Sequence, residues 1–424
     1  MTILPFADRK CRRSPRSSPL LSVTARSEFN HAGASFSGAV FNLSTTIVGA
    51  GIMALPATLK QLGLVPGLIV IVLAAMLTEK SIDMILRFSR ASKSSSYAAL
   101  VGDAFGGAGR NLLQIFIVVN NLGMLVVYMI IIGDVMSGLW SQGIHHSGVM
   151  EEWFGLHWWT SRSSLMLCTT LFVIAPLISF RRVDSLKYTS ALSVGLALVF
   201  VASFWKLFTT VPVLVTAYIC HHNIHPIDNE LTDSTKIKPI VKTSLTLCAS
   251  LYVLTSFFGF LLFGDQTMDD VLGNFDGYLG TRYSSLLNDI VRVSYGVHLM
   301  LVFPIVFFSL RLNLDGLLFP YAIPISYDNK RFFTITVGLM SIIFLGANYV
   351  PSIWDAFQFT GATSAVSIGY IFPAVIALKD THGIATKNDR IVSWAMIILA
   401  VSSSSVAISS DIYSIFNRSK TAGS

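Results

Sequence analysis

Charge is scarce in this chain. Asp, Glu, Lys and Arg make up 12% of its 424 residues and 53% are hydrophobic, whereas a soluble domain carries about 25% charged residues. With a mean hydropathy of +0.64, this composition excludes a water-exposed surface over most of the molecule. Only four cysteines occur. Cys168, Cys220 and Cys248 lie in or at the edge of apolar runs and Cys11 lies near the start, so no disulfide framework is expected. Strictly alternating apolar and polar residues are missing, which argues against a β-barrel. There is no nucleophile elbow, His-Glu-x-x-His motif or phosphate loop, so no enzyme chemistry and no cofactor are expected. No ring of like charges and no filter-like loop points to a channel.

What is present is a series of long apolar runs. They cover roughly 36–60, 64–86, 111–139, 163–180, 188–204, 205–221, 243–263, 286–310, 332–349, 353–378 and 391–415. A bilayer is crossed by about 20 residues of helix, so the expected fold class is an all-α polytopic membrane protein of about eleven transmembrane helices. The net charge of +7 sits mainly in loops beside the spans, where it sets topology rather than binding nucleic acid. With the N-terminus in the cytosol, 23 of the 30 basic residues face the cytosol and seven the other side. The excess of positive charge inside favours that orientation. Residues 1–33 form an Arg- and Ser-rich zone, "DRKCRRSPRSSPLLSVTARSEF" within it, read as a disordered cytosolic tail. An organelle transit peptide is the alternative. The expected transmembrane domain is 34–415, with a short C-terminal tail at 416–424.

One stretch is too short. Tyr188 to His221 is 34 residues, and two full spans need about 40 plus a turn. Charge decides for two spans all the same. A single span would turn Lys236, Lys238 and Lys242 outward and the acidic loop "FGDQTMDDVLGNFDGYLG" inward. The fifth span is therefore expected to be truncated, with Lys206 at its outer turn.

Two spans are built to break. "NLSTTIVGAGIMALP", Asn42 to Pro56, has Gly49 and Gly51 at mid-span and a proline five residues later. In lipid, freed backbone groups are tolerable only when they face protein, water or a ligand. Interrupted helices of this kind form substrate sites in many secondary transporters; a close helix-packing face is the alternative. The sixth span, "FTTVPVLVTAYICHHNIHPIDNEL", repeats the theme with Pro212 and a polar Thr216-Ala217-Tyr218. Breaks five spans apart are the expected mark of a five-plus-five inverted repeat, with spans 1–5 and 6–10 as its halves.

These segments also resemble a family. "FNLSTTIVGAGIMALP" looks like a motif of the sodium-coupled neutral amino acid transporters, "YICHHNIHPIDNEL" resembles their sixth-span motif, and "GATSAVSIGYIFPAVIALKD" in span 10 is similar as well. The best match is the plant branch of vacuolar-type amino acid transporters, in the amino acid/auxin permease superfamily. The resemblance runs from about Ala34 to Ile415 and implies the leucine-transporter-like fold and secondary transport of amino acids. Relatives have a longer fifth span and a loop before span 6; here "GLALVFVASFWKLFTTVP" runs straight through. About two dozen residues are missing, the same shortfall that span length exposes.

On this reading Thr45, Val48, Gly49, Ala50 and Gly51 in span 1, Thr216, Ala217 and Tyr218 in span 6, and Asn120 in span 3 are the candidate substrate-binding residues. Cys220, His221, Gln358 and Thr363 are candidate gates. In the sodium-coupled relatives an Asn in span 1 and a Thr in span 8 serve the ion; here the first position is Thr45 and span 8, "HLMLVFP", offers Met300 and Val302. Sodium prefers hard oxygen ligands, so proton coupling or facilitated exchange is expected. Thr45 and His298 are the candidate coupling residues, His298 as the proton carrier or as a neutral bridge between helices. Asp289 and Arg292, one turn apart, are expected to pair. His145, His146 and His157 beside Glu151 and Glu152 read as an ordinary polar loop rather than a metal site.

The function expected is secondary amino acid transport by alternating access. The alternatives are a non-transporting sensor or scaffold, or an inactive truncated product. The expected partners are the amino acid, H+ and the lipid bilayer, with the chain as a monomer in the vacuolar or another endomembrane; the plasma membrane is the alternative.

Overall fold

The computed structural model describes residues 35–49, 51–62, 64–141, 144–179, 214–231, 233–263, 267, 271–276, 284–349 and 360–421. The N-terminal zone, the fifth span with Lys206, and Ala50, Pro212 and Gln358 lie outside them.

Span 1 is two helices, α1 (Phe36–Ile47) and α2 (Gly51–Leu62). Ser35 starts α1 by accepting a hydrogen bond from the Gly38 amide at 3.1 Å, as an N-cap serine does. Next come α3 (Leu64–Ser92) and α4 (Tyr97–Ser137). Gly106 lies within α4 at φ 71°, a conformation that favours glycine, and it kinks the helix just before the apolar run of span 3. After α4 the chain forms a hairpin of β1 (Gly138–Ser141) and β2 (Ile144–Ser147), paired antiparallel with Gly138 opposite Ser147 and Ser141 opposite Ile144. The hairpin leaves the all-α class standing, and strands of four residues are too short to carry a period in the sequence. Then follow α5 (Val149–Phe154) and α6 (Arg162–Ile178), the latter with a π-helical turn at Thr170–Ile174.

Residues 214–217 are helical, and after a break α7 (His221–Glu230) resumes. The remaining helices are α8 (Ile237–Phe263), α9 (Ser284–Leu318), α10 (Asn329–Tyr349), α11 (Gly361–Lys379) and α12 (Lys387–Thr421). Six helices among the described residues are long and apolar enough to cross a membrane. α10 and α12 expose Phe333, Val337, Ile342, Trp394, Ile398 and Val401. The core packs α4, α8 and α9 around the two halves of span 1.

Contacts sort the helix ends onto two faces. At one face Arg87 of α3 forks onto Asp389 of α12 at 2.7 and 3.0 Å, Lys238 of α8 meets Asp83 at 2.6 Å, and Arg311 of α9 donates to the Ile178 carbonyl of α6 at 3.0 Å. At the other, Lys60 of α2 donates to Thr267, Ser163 of α6 donates to Asn348 of α10 at 3.0 Å, and Trp153 of α5 donates to Asp289 of α9 at 3.0 Å. Arg292 reaches Glu152 at 3.2 Å. The expected pairing of Arg292 with Asp289 is thus replaced, since each finds a partner on α5 that the spacing within α9 could not reveal.

Asp389 also caps α12. It accepts from the Thr386 amide and hydroxyl, and Thr386 Oγ1 accepts from the Asp389 amide, a reciprocal box. Asp389→Ala is expected to destabilise the protein by about 2 kcal/mol, roughly half from the cap and half from the partly exposed ion pair. Asp389→Asn keeps an acceptor and should lose about half as much. Thermal unfolding in detergent measures both.

Candidate functional site

The break in span 1 follows from its residues. Glycine is a poor helix former, and the α1 ladder ends with the Val48 amide donating to the Ser44 carbonyl at 2.7 Å. The Gly49 amide turns back to the Ile47 carbonyl at 2.9 Å. The Gly49 carbonyl accepts from the Ile52 amide at 3.2 Å, while the Ile47 and Val48 carbonyls lack their helical partners, and such groups must be satisfied inside the protein.

Side chains from two other helices meet them. The Tyr252 hydroxyl of α8 lies 2.6 Å from the Ile47 carbonyl. His298 Nε2 of α9 lies 2.9 Å from the Val48 carbonyl. A carbonyl only accepts, so Nε2 carries the proton and donates. The Tyr295 hydroxyl, one turn earlier on α9, donates to the Gly49 carbonyl at 3.0 Å. All three donors are fully buried, and the Tyr295 and His298 rings lie 5.3 Å apart.

The second break lies against the first. Between 214–217 and α7, Tyr218 to Cys220 leave the helix, with the Cys220 backbone at φ −136°, ψ 2°. A Cβ on Gly51 would fall 2.6 Å from Ala217 Cα and 2.8 Å from its Cβ. One on Gly49 would fall onto the Tyr128 hydroxyl of α4. The glycines let three elements close on one point. Tyr252 joins the two breaks, since its hydroxyl also lies 2.7 Å from the Ala217 carbonyl. Tyr218 packs edge-on to Tyr252 with centroids 4.9 Å apart. Its own hydroxyl is buried with no hydrogen-bond partner among the described residues.

Val48, Gly49, Gly51, Ala217, Tyr218 and His298 therefore converge. Tyr252 and Tyr295, which no motif in the sequence singles out, belong with them, as does Tyr128, a polar group of the same helix as Asn120. Thr45 and Thr216 are buried on the flanking turns. Asn120 is buried on α4 and donates to Asn121 at 3.2 Å, a bond within its own helix.

The candidate gates sit further toward the face that holds Arg87. His221 Nε2 lies 2.9 Å from Ser81 Oγ of α3, and that hydroxyl donates to the Gly369 carbonyl of α11. With the serine proton so used, the imidazole is the donor. The Gly369 carbonyl has no α-helical donor because the residue four positions on is Pro373, which lacks an N–H; α11 is π-helical over Gly361–Ala365 and Ser367–Ile371, and such widened turns recur at functional sites. The Tyr97 hydroxyl donates to the neighbouring Ile368 carbonyl at 2.9 Å. Cys220 is buried before α7. The Thr363 carbonyl accepts from Ser367 at 2.6 Å. No cluster of three or more metal-ligating side chains occurs among the described residues.

A chain with two adjacent broken helices at mid-span invites comparison with known proteins. The model of the family described as transmembrane amino acid transporter protein matches residues 32–205 and 194–415. The chain belongs to this family. It is a multi-pass membrane protein of the amino acid/auxin permease superfamily, whose plant members are transporters and not enzymes. It is 58% identical to amino acid transporter AVT6A of Arabidopsis thaliana, over 93% of this chain and 91% of that protein. Amino acid transporter AVT6B is 56% identical, over 92% of each, and AVT6C 45%, over 91% and 95%. The AVT6A alignment runs over 422 positions, yet 93% of this 424-residue chain is only about 394 residues. About 28 aligned positions therefore have no residue here.

Proposed function

We propose that this protein is a secondary active transporter of amino acids that works by alternating access. The observation that carries the reading is the paired break: carbonyls of Ile47, Val48, Gly49 and Ala217 are gathered at one buried point and met by tyrosine and histidine donors. Backbone around Val48–Gly51 binds the substrate's carboxylate and ammonium groups, while Thr216–Tyr218 faces its side chain. Exchange of the internal donors for ligand groups gives the site two arrangements of similar bond count, and one bundle rocks against the other around it. The relatives' names, amino acid transporters, support the substrate class.

The layout proposed is eleven spans in a five-plus-five repeat with the N-terminus cytosolic. It is supported by the two faces of helix ends, since the ends joined by the contacts above fall on the sides that an eleven-span count assigns to them. Coupling is to protons or absent, rather than to sodium. Met300 and Val302 are buried where a relative's ion ligand would stand, and the carbonyls after Thr45 are already engaged. The resemblance to vacuolar-type transporters supports an endomembrane location.

The test is counterflow in proteoliposomes over a panel of amino acids. At least one amino acid should exchange, at a rate unchanged when potassium replaces sodium; an imposed pH gradient should drive its accumulation if protons are coupled and leave it unaltered if coupling is absent. A rate that collapses without sodium and ignores pH would sink the coupling assignment. A second reading is a sensor or an inactive product of the same fold. It is favoured by the missing positions and by a family match that falls in two pieces meeting at 194–205, the stretch of the short fifth span. Amino acid binding without counterflow, restored by inserting a relative's full-length fifth span, would establish it.

A further inference from the structure

Tyr252 presents a counting problem. Its hydroxyl lies 2.6 Å from the Ile47 carbonyl and 2.7 Å from the Ala217 carbonyl. A phenol has one proton, and carbonyls only accept. The two bonds therefore alternate. The acceptors are unequal, because the Ile47 carbonyl also receives the Gly49 amide at 2.9 Å. When the proton is on Ala217, each carbonyl has a donor. When it turns to Ile47, the Ala217 carbonyl loses the only donor that meets it among the described residues.

We infer that Tyr252 is a positioning residue that hands the Ala217 carbonyl to an N–H of the substrate's ammonium group. The ligand takes Ala217 and the phenol proton turns to Ile47, so the protein loses no hydrogen bond as it binds. One hydroxyl thereby registers occupancy on both broken spans. This inference rests on the amino acid reading above.

The experiment is ligand-induced thermal stabilisation of the purified full chain, wild type and Tyr252→Phe, with an amino acid from the panel and with its N,N,N-trimethyl betaine. Phenylalanine keeps the ring against Tyr218 and removes the proton. The variant alone should melt lower, since the Ala217 carbonyl is left bare. The amino acid should recover most of that deficit and bind the variant at least about fivefold more tightly than wild type, the worth of covering one buried carbonyl at its low end. The betaine, cationic but without an N–H, should recover none. Equal stabilisation of both proteins by the amino acid, or equal recovery by the betaine, would overturn the inference. If no amino acid stabilises the wild type, the transport reading falls instead. Should Tyr252→Phe not fold, 3-fluorotyrosine at 252 reads the same event. Its 19F resonance should move with the amino acid and stay fixed with the betaine; an unmoved resonance under saturating amino acid overturns the proposal.

Discussion

Gly51→Ala is expected to lower counterflow at least tenfold while leaving a folded protein. The new methyl would meet Ala217 Cα at 2.6 Å and Cβ at 2.8 Å. These atoms belong to the other broken span and not to the tip of a mobile side chain, so the strain can be relieved only by moving that span. Overpacking of this size costs about 1–3 kcal/mol, and it falls on the joint between the breaks. Their carbonyls would no longer share Tyr252, which needs both within about 3 Å. Gly338→Ala is the matched control. A Cβ there meets nothing within 4 Å, and in a helix interior the change should be neutral or stabilising by up to about 1 kcal/mol. Ala217→Gly in the Gly51→Ala background removes one of the two contacts and should restore part of the rate. Wild-type counterflow by Gly51→Ala would show that the close approach has no role in transport.

The parts of this site that the sequence reveals are those written into the backbone. Gly49 and Gly51 in one span, and Pro212 with the polar Thr216-Ala217-Tyr218 in the other, weaken a spanning helix wherever it lies, so both breaks were visible without any knowledge of what surrounds them. The donors that meet the freed carbonyls were not. Tyr252 is 205 positions from Ile47 and 35 from Ala217, and Tyr295 is 246 positions from Gly49. A buried tyrosine in a span has no pattern that separates it from a packing residue, because its partner is a backbone atom present at every position. His298 was legible for the opposite reason: an ionisable group at membrane depth is costly enough to draw notice. Its partner, the Val48 carbonyl, was not. The Asp289 and Arg292 expectation failed where spacing along one helix was taken for contact, and α5 supplied better partners. α10 and α12 were legible as apolar runs, since large apolar residues such as Phe333, Ile342, Trp394 and Ile398 stay on their outward faces.

His298 tests whether the donor or the titration matters. His298→Ala removes the N–H that meets the Val48 carbonyl and leaves a hole beside Tyr295. An unmet buried carbonyl is worth about 1–3 kcal/mol, and the missing ring adds to it, so counterflow and thermal stability should both fall, the rate at least tenfold. His298→Gln is the more telling change. Its amide can still donate to Val48, and it cannot take a proton. Because Nε2 already carries the bonded hydrogen, a coupling proton would enter at Nδ1 and the bond to Val48 would survive protonation. Proton coupling through His298 then predicts a split. The glutamine variant should retain counterflow, which needs no net proton movement, and lose accumulation driven by a pH gradient. A variant that accumulates substrate with the wild-type pH dependence would leave His298 as a neutral brace on the broken helix. The proton would then have to be carried elsewhere or not at all.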